Sequence, residues 1–168
     1  MKLKTLILAA GKGTRMKSEL PKVIHEVNGI PMISKIIKVL EILKPEENIL
    51  ILGHKKEEVL KVVGENADYV VQTEQLGTGH AVLQAKEKKK KNTEEKIKIL
   101  YRDTPLLSEE TLKELYKFHK DTDSVTTILT SIYDNPFGYG RIVKENGLVK
   151  AIVEEKEADA EIKKIKEV

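Results

Sequence analysis

Short apolar runs alternate along this chain with longer amphipathic ones. Leu6-Ile7-Leu8, Ile49-Leu50-Ile51-Leu52, Tyr69-Val70-Val71 and Ile97-Lys98-Ile99-Leu100-Tyr101 read as strands. The second is apolar at every position, as a parallel strand covered on both faces requires. Between the first two, Ile33, Ile36, Ile37, Leu40 and Leu43 recur at helical spacing, with Lys35, Lys38 and Glu41 opposite them. Pro31 and Pro45 bracket that helix, and Val59, Val62 and Val63 predict another that ends near Gly64. A third helix is expected from a Thr78 cap through Ala81 to about Lys91. A fourth follows Ser108, an N-cap with Glu109 and Glu110 in the first turn, and buries Leu112, Leu115, Tyr116 and His119.

From Ser124 the pattern changes. Val125 to Ile132 is a long β-branched run that reads as extended chain. Tyr139–Val143 and Leu148–Glu154 form a hairpin around Glu145-Asn146-Gly147, because both turn positions tolerate positive φ. Ala158–Val168 is helix-like and highly charged. The alternation of strand and helix predicts an α/β fold, a mostly parallel sheet with helices on both faces.

Composition narrows the class. The 168 residues suit one ordinary domain; 30 basic against 27 acidic side chains leave +3, without the clustered basic excess of a nucleic-acid binder. No apolar stretch is long enough to span a membrane, and the N-terminal run reads as a buried strand, so a cytoplasmic protein is expected. The absence of cysteine excludes disulfides, thiolate catalysis and cysteine-bound zinc.

Candidate chemistry begins directly after the first strand, in Leu8-Ala9-Ala10-Gly11-Lys12-Gly13-Thr14-Arg15-Met16. The dinucleotide fingerprint fails because Met16 stands where its third glycine belongs. The Walker A loop fails because Gly11 and Gly13 are too close. What remains is a glycine-rich loop with Lys12, Arg15 and, past Pro21, Lys22. Such a loop at the carboxyl end of a strand suits a polyphosphate, and equally a turn with exposed basic residues.

That segment, with Leu20-Pro21-Lys22-Val23, resembles the signature of sugar-nucleotide pyrophosphorylases. Three further stretches occur in the family's order: Gln72-Thr73-Glu74-Gln75-Leu76-Gly77-Thr78-Gly79-His80-Ala81, Gly138-Tyr139-Gly140-Arg141-Ile142 and Val153-Glu154-Glu155-Lys156. Together they resemble the bacterial N-acetylglucosamine-1-phosphate uridylyltransferases. The resemblance implies a Rossmann-like fold and uridylyl transfer from UTP to N-acetylglucosamine 1-phosphate, with Mg²⁺, for cell-wall precursor synthesis. It assigns Leu8, Ala9, Ala10, Gly11 and Gly13 to the uridine and phosphates. Arg15 would hold the departing phosphates, and Lys22 would neutralise the reacting ones. Gln72, Gly77 and Thr78 would read uracil, Tyr101 would border the substrates, Asp103 would ligate Mg²⁺, and Gly140 and Glu154 would bind the sugar.

Two departures stand out. Tyr101-Arg102-Asp103 carries arginine where the family has glycine, which is expected to impair ligand or metal binding. The resemblance also stops at Val168, before a second metal-binding asparagine and before the acetyltransferase half whose β-helix trimerises. A single, C-terminally truncated nucleotidyltransferase domain is therefore expected, without acetyltransferase activity or that trimer. A related nucleotidyltransferase with another sugar phosphate, and a uridine-nucleotide-binding fragment, are the alternatives. His25, His54 and His119 lack a second ligand at useful spacing and read as structural. His80 follows the uracil-reading loop and is placed to orient it.

Overall fold

The computed structural model describes residues 2–11, 18–64, 67–74, 76–86, 95–101, 104–122 and 124–168. In chain order these form β1 (Lys2–Ala9), a 3-10 turn (Lys22–Ile24), β2 (Glu26–Val27), β3 (Ile30–Pro31), α1 (Met32–Leu40), a second 3-10 turn (Glu41–Leu43) and β4 (Glu47–Leu52). There follow α2 (Lys56–Val63), β5 (Tyr69–Val71), α3 (Thr78–Gln84), β6 (Glu95–Tyr101), α4 (Glu109–Asp121), β7 (Arg141–Glu145), β8 (Leu148–Val153) and a 3-10 turn at Ile162–Lys164. No described helix is long and apolar enough to cross a membrane.

The chain divides into two compact units, Met1–Tyr116 and Lys117–Val168. The first is built on a parallel sheet of order β5-β4-β1-β6. Both faces of its central strands are covered, so alternation puts apolar side chains on each side. Ile7, Ala9, Leu50, Leu52 and Leu100 meet Ile33, Ile36 and Leu40 of α1, Val59 of α2 and Leu112 of α4. On the other face Leu6, Leu8, Ala10, Ile49 and Ile51 pack on Ala81 and Ala85 of the α3 segment. The expected α/β architecture is what forms.

Local signals act where they were read. Ser108 Oγ accepts the Thr111 N–H at 3.1 Å and so caps α4. Gly64 ends α2 at φ +95. Thr78, by contrast, makes no capping bond. The cap position belongs to Gly77, whose φ of +97 an L-residue rarely adopts, and Thr78 is the first helical residue. The described part of that helix ends at Gln84; the expected extension to Lys91 falls largely outside the described residues.

A half-buried charge, Lys98, opposes this fold. Lys98 Nζ on β6 donates to the Leu112 carbonyl at 3.2 Å, and burial lowers its pKa from 10.5 to about 8. The folded chain therefore sheds this proton before the unfolded chain does. The cost of the half-buried ammonium is carried in full below pH 8 and fades as the pH rises toward 10.5. Lys98→Met is expected to raise the melting temperature at pH 7, with the difference from the unaltered chain shrinking between pH 8 and 10.5. Thermal melts of both chains across that range measure it.

The second unit is organised around the hairpin β7–β8. Asn146 and Gly147 turn it at φ +52 and +78, and a register shift falls between Val143 and Lys144. Two segments behave here otherwise than their composition suggests. Val125–Ile132 forms no strand beyond a single antiparallel bridge, Ile132 to Glu167, because β-branched residues make a strand only where a neighbour supplies ladder partners. Ala158–Val168 is not a helix. Only Ile162–Lys164 makes a 3-10 turn, and the last residues run extended, exchanging backbone bonds with Ser131, Tyr133 and Ile142. Glu167 lies at that junction, bonded by Lys144 and Thr130 at 2.7 Å each. Those two donors, the lysine first, hold its carboxyl below the usual carboxylate range.

Candidate functional site

Strand order creates the site. From β1 the chain steps outward to β4 and β5, then returns past β1 to form β6 on its other flank. α3, which leads into β6, therefore packs on the opposite sheet face from α1 and α2, and such a change of face is where open α/β sheets offer a crevice at the carboxyl edge. Leu8 and Tyr101 are register partners at that edge.

A cavity of about 220 Å³ lies at that position. Leu8, Ala10 and Gly11 come from β1 and the residues after it, Tyr101 from the end of β6, and Gln72 from just past β5. Gly77, Thr78 and Ala81 come from the start of α3. The volume is below the roughly 300–1,000 Å³ of pockets for drug-sized ligands, and a single ring fits within it. Its small side chains, Ala10 and Ala81, leave room where larger ones would fill the crevice.

Gln72 is the buried polar group of this cavity, 5% exposed. Its backbone N–H donates to the Leu52 carbonyl at 2.8 Å, extending the β4–β5 ladder by one residue. Its side-chain nitrogen lies 3.2 Å from the Gly77 carbonyl and 3.2 Å from Nδ1 of His80. On the far side of the imidazole, the Gln84 amide lies 3.0 Å from Nε2. The chain thus places Leu8, Ala10, Gly11, Gln72, Gly77, Thr78 and Tyr101 around one cavity, although they come from four separate stretches of sequence.

Other expected site residues stand elsewhere. Ala9 turns its side chain into the core on the opposite sheet face. Lys22 opens the 3-10 turn whose Val23 is buried against α1 and α2, and it is not among the residues lining the cavity. Gly13, Arg15, Arg102 and Asp103 lie outside the described residues, as does Lys12. Among the described residues, no group of three or more His, Asp and Glu side chains could hold a metal ion.

Gly140 and Glu154 are neighbours in the second unit. A β-carbon on Gly140 would stand 3.7 Å from the Glu154 carboxyl and 3.1 Å from an Ile152 methyl. Beside them, Arg141 is 2% exposed and donates to Glu155 at 2.8 Å and to the Tyr139 carbonyl. The Arg141 hydrogen bond, helped by the Gly138 N–H, holds the Glu155 carboxyl below the usual carboxylate range. Tyr139 stacks on Tyr133, ring centroids 5.3 Å apart.

Two participants escaped the sequence reading. Gly53 follows β4 and lies against Ala10: a β-carbon there would sit 2.4 Å from the Ala10 carbonyl oxygen. A single glycine after an apolar strand gives no hint of that approach. Gln84, four residues after His80, was legible as a same-face helical pair and carries no motif of its own.

Comparison with known proteins identifies the family and the fold. The bifunctional protein GlmU of Streptococcus thermophilus is 48% identical over 164 residues, 97% of this chain and 35% of that protein. The GlmU of Streptococcus mutans is 45% identical over 164 residues, 97% of this chain and 36% of that protein. The chain thus spans about a third of the length of these curated relatives. Among solved structures, a UDP-glucose pyrophosphorylase complexed with UDP-glucose has a TM-score of 0.74 at 20% identity, covering 100% of this chain and 74% of that one. A putative glucose-1-phosphate thymidylyltransferase from Bacillus anthracis has a TM-score of 0.73 at 19% identity, covering 91% and 64%. These likenesses show the nucleotidyltransferase fold. A family model described as MobA-like NTP transferase domain matches residues 5–159, most of each unit, and the chain belongs to that family.

Proposed function

We propose that this chain binds UTP and transfers its uridylyl group to N-acetylglucosamine 1-phosphate, giving UDP-N-acetylglucosamine and pyrophosphate. The observation that carries the reading is the ring-sized cavity at the carboxyl edge of β1 and β6, with the Gln72 amide, Gly77 and Thr78 on its lining. A uracil ring offers both donors and acceptors at its edge, which an amide and neighbouring backbone groups can match. The identity to GlmU proteins supports the sugar phosphate.

In this reading an oxygen of the sugar phosphate attacks the α-phosphorus of UTP. The bond to the β-phosphate oxygen breaks and pyrophosphate leaves in line. Such chemistry needs positioning and positive charge rather than a covalent nucleophile. Leu8 to Gly11 and Gly13 would cradle the nucleotide, Arg15 the departing phosphates and Lys22 the reacting ones. Gly140 and Glu154 would bind the sugar. Asp103, two residues past Tyr101, would hold Mg²⁺, which when bound neutralises phosphate charge. The product would serve cell-wall precursor synthesis in the cytoplasm.

The test is nucleotide binding by calorimetry together with pyrophosphate release from UTP and N-acetylglucosamine 1-phosphate with Mg²⁺. UTP is expected to bind at least tenfold more tightly than ATP or GTP, each good base contact being worth ~1–3 kcal/mol. Arg102→Gly is expected to release pyrophosphate faster than the unaltered chain. Equal binding of all nucleotides overturns the uridine reading. UTP binding without turnover in either chain would reduce the function to uridine-nucleotide binding.

A further inference from the structure

The hydrogen-bond chain behind the cavity has a chemical constraint that fixes which atom of Gln72 meets a ligand. A neutral imidazole carries one N–H and one lone pair, so His80 can accept at only one ring nitrogen and must donate from the other. Both of its nitrogens face a glutamine amide, Gln72 at Nδ1 and Gln84 at Nε2. One amide must therefore turn its nitrogen to the ring and the other its oxygen.

Burial decides which. Gln72 is 5% exposed, and its nitrogen also faces the Gly77 carbonyl, which can only accept. Turning that amide would bring two carbonyl oxygens together and lose a buried hydrogen bond. Gln84 is only half-buried, and its second contact is with the His80 carbonyl at 3.3 Å, an oxygen placed to accept the helical N–H one turn on. Turning Gln84 sets its oxygen 3.3 Å from the His80 carbonyl, but at a half-buried edge where water screens that repulsion and takes up the freed nitrogen, so it costs less than turning the buried Gln72. The arrangement that satisfies every group has Nδ1 of His80 accepting from Gln72 and Nε2–H donating to the Gln84 oxygen.

We infer that His80 and Gln84 are positioning residues that lock both N–H groups of Gln72 inward, leaving its carbonyl oxygen to select bases that offer an imide N–H. Uracil and thymine carry that N–H; cytosine presents a bare ring nitrogen there, and two lone pairs would oppose each other. This inference rests on the uridine reading above and adds the device that enforces it.

Two measurements on the full chain test it. Long-range ¹H–¹⁵N spectra of the free protein, with His80 assigned through His80→Asn, report the tautomer without any nucleotide. Protonated Nε2 and unprotonated Nδ1 are expected, and Gln84→Leu should yield a mixture. Calorimetry with UTP, dTTP and CTP then reads the selectivity. UTP and dTTP should each bind at least ~10-fold more tightly than CTP, one well-made base contact being worth that much.

His80→Leu should lower the UTP-to-CTP ratio about tenfold. His80→Asn, whose amide oxygen can replace Nδ1 as acceptor, should restore most of it. A general loosening of the pocket would weaken both nucleotides and leave the ratio unmoved. Protonated Nδ1 in the unaltered chain, or an unchanged ratio in His80→Leu, overturns the inference. If neither UTP nor dTTP binds while the tautomer is as stated, the uridine reading fails and the relay stands.

Discussion

Leu50→Ala is expected to lower the unfolding free energy by about 2–5 kcal/mol, the usual cost of emptying a closed aliphatic site. Leu50 is 1% exposed, pairs with Ile7 across the β1–β4 ladder and shares a cluster with Ile33, Ile36 and Leu40 of α1. Strands fixed in a hydrogen-bonded ladder and a helix held along its length cannot collapse into the void, so the transfer and cavity costs add. A domain has only about 5–15 kcal/mol in hand, so a substantial share would go at one position. Urea titration should show a lower midpoint with unchanged slope. Leu83→Ala, at a residue 61% exposed, should stay within about 0.5 kcal/mol. Equal effects at the two positions would mean that the cluster around Leu50 is not closed.

Gly53→Ala should act on stability and binding together. The new β-carbon would fall 2.4 Å from the Ala10 carbonyl oxygen and 3.1 Å from two further backbone atoms of Ala10. Contacts of that first kind do not occur, and backbone cannot swing aside as the end of a side chain can. The end of β1 or of β4 must move, at an overpacking cost of about 1–3 kcal/mol, or a melting temperature roughly 3–10 °C lower. Because Ala10 lines the cavity, the same displacement reshapes the candidate site, and UTP binding should weaken at least about tenfold. Gly79→Ala is the comparator. It meets open space inside α3, where alanine is the better helix former by up to about 1 kcal/mol, and the chain should be no less stable. Calorimetric melts and UTP titrations of the two variants separate the clash from a general intolerance of alanine. Unweakened UTP binding in Gly53→Ala would place the nucleotide away from Ala10.

What was legible in the chain were the features set by near neighbours. Side-chain alternation and helical spacing are properties of a few consecutive residues, so β4, α1, the Gly64 stop, the Ser108 cap and the Asn146-Gly147 turn could all be read directly. The resemblance was likewise a matter of local strings, and it marked Gln72, Gly77 and Thr78 without any fold. The misread segments were those whose state depends on a distant partner. Val125–Ile132 has strand composition and almost no strand, because pairing is a property of two segments and among these residues Ser131 and Ile132 found one. Residues 158–168 have helical composition, yet their backbone groups exchange bonds with Ser131, Tyr133 and Ile142 instead.

The sequence by itself determined the class of fold, the alternation of its elements and the residue types available for phosphate, base and sugar. Only the tertiary structure decided that β6 returns beside β1, and hence that Leu8, Gln72, Thr78 and Tyr101 face one cavity. It alone decided that position 53 has no room for a methyl group, and that Gln72, His80 and Gln84 form one line of hydrogen bonds. The physical reason is the same in each case. Periodicity and propensity are written in neighbouring residues, whereas a close approach, a shared cavity or a tautomer is set by groups that only the packed chain brings within a few ångströms.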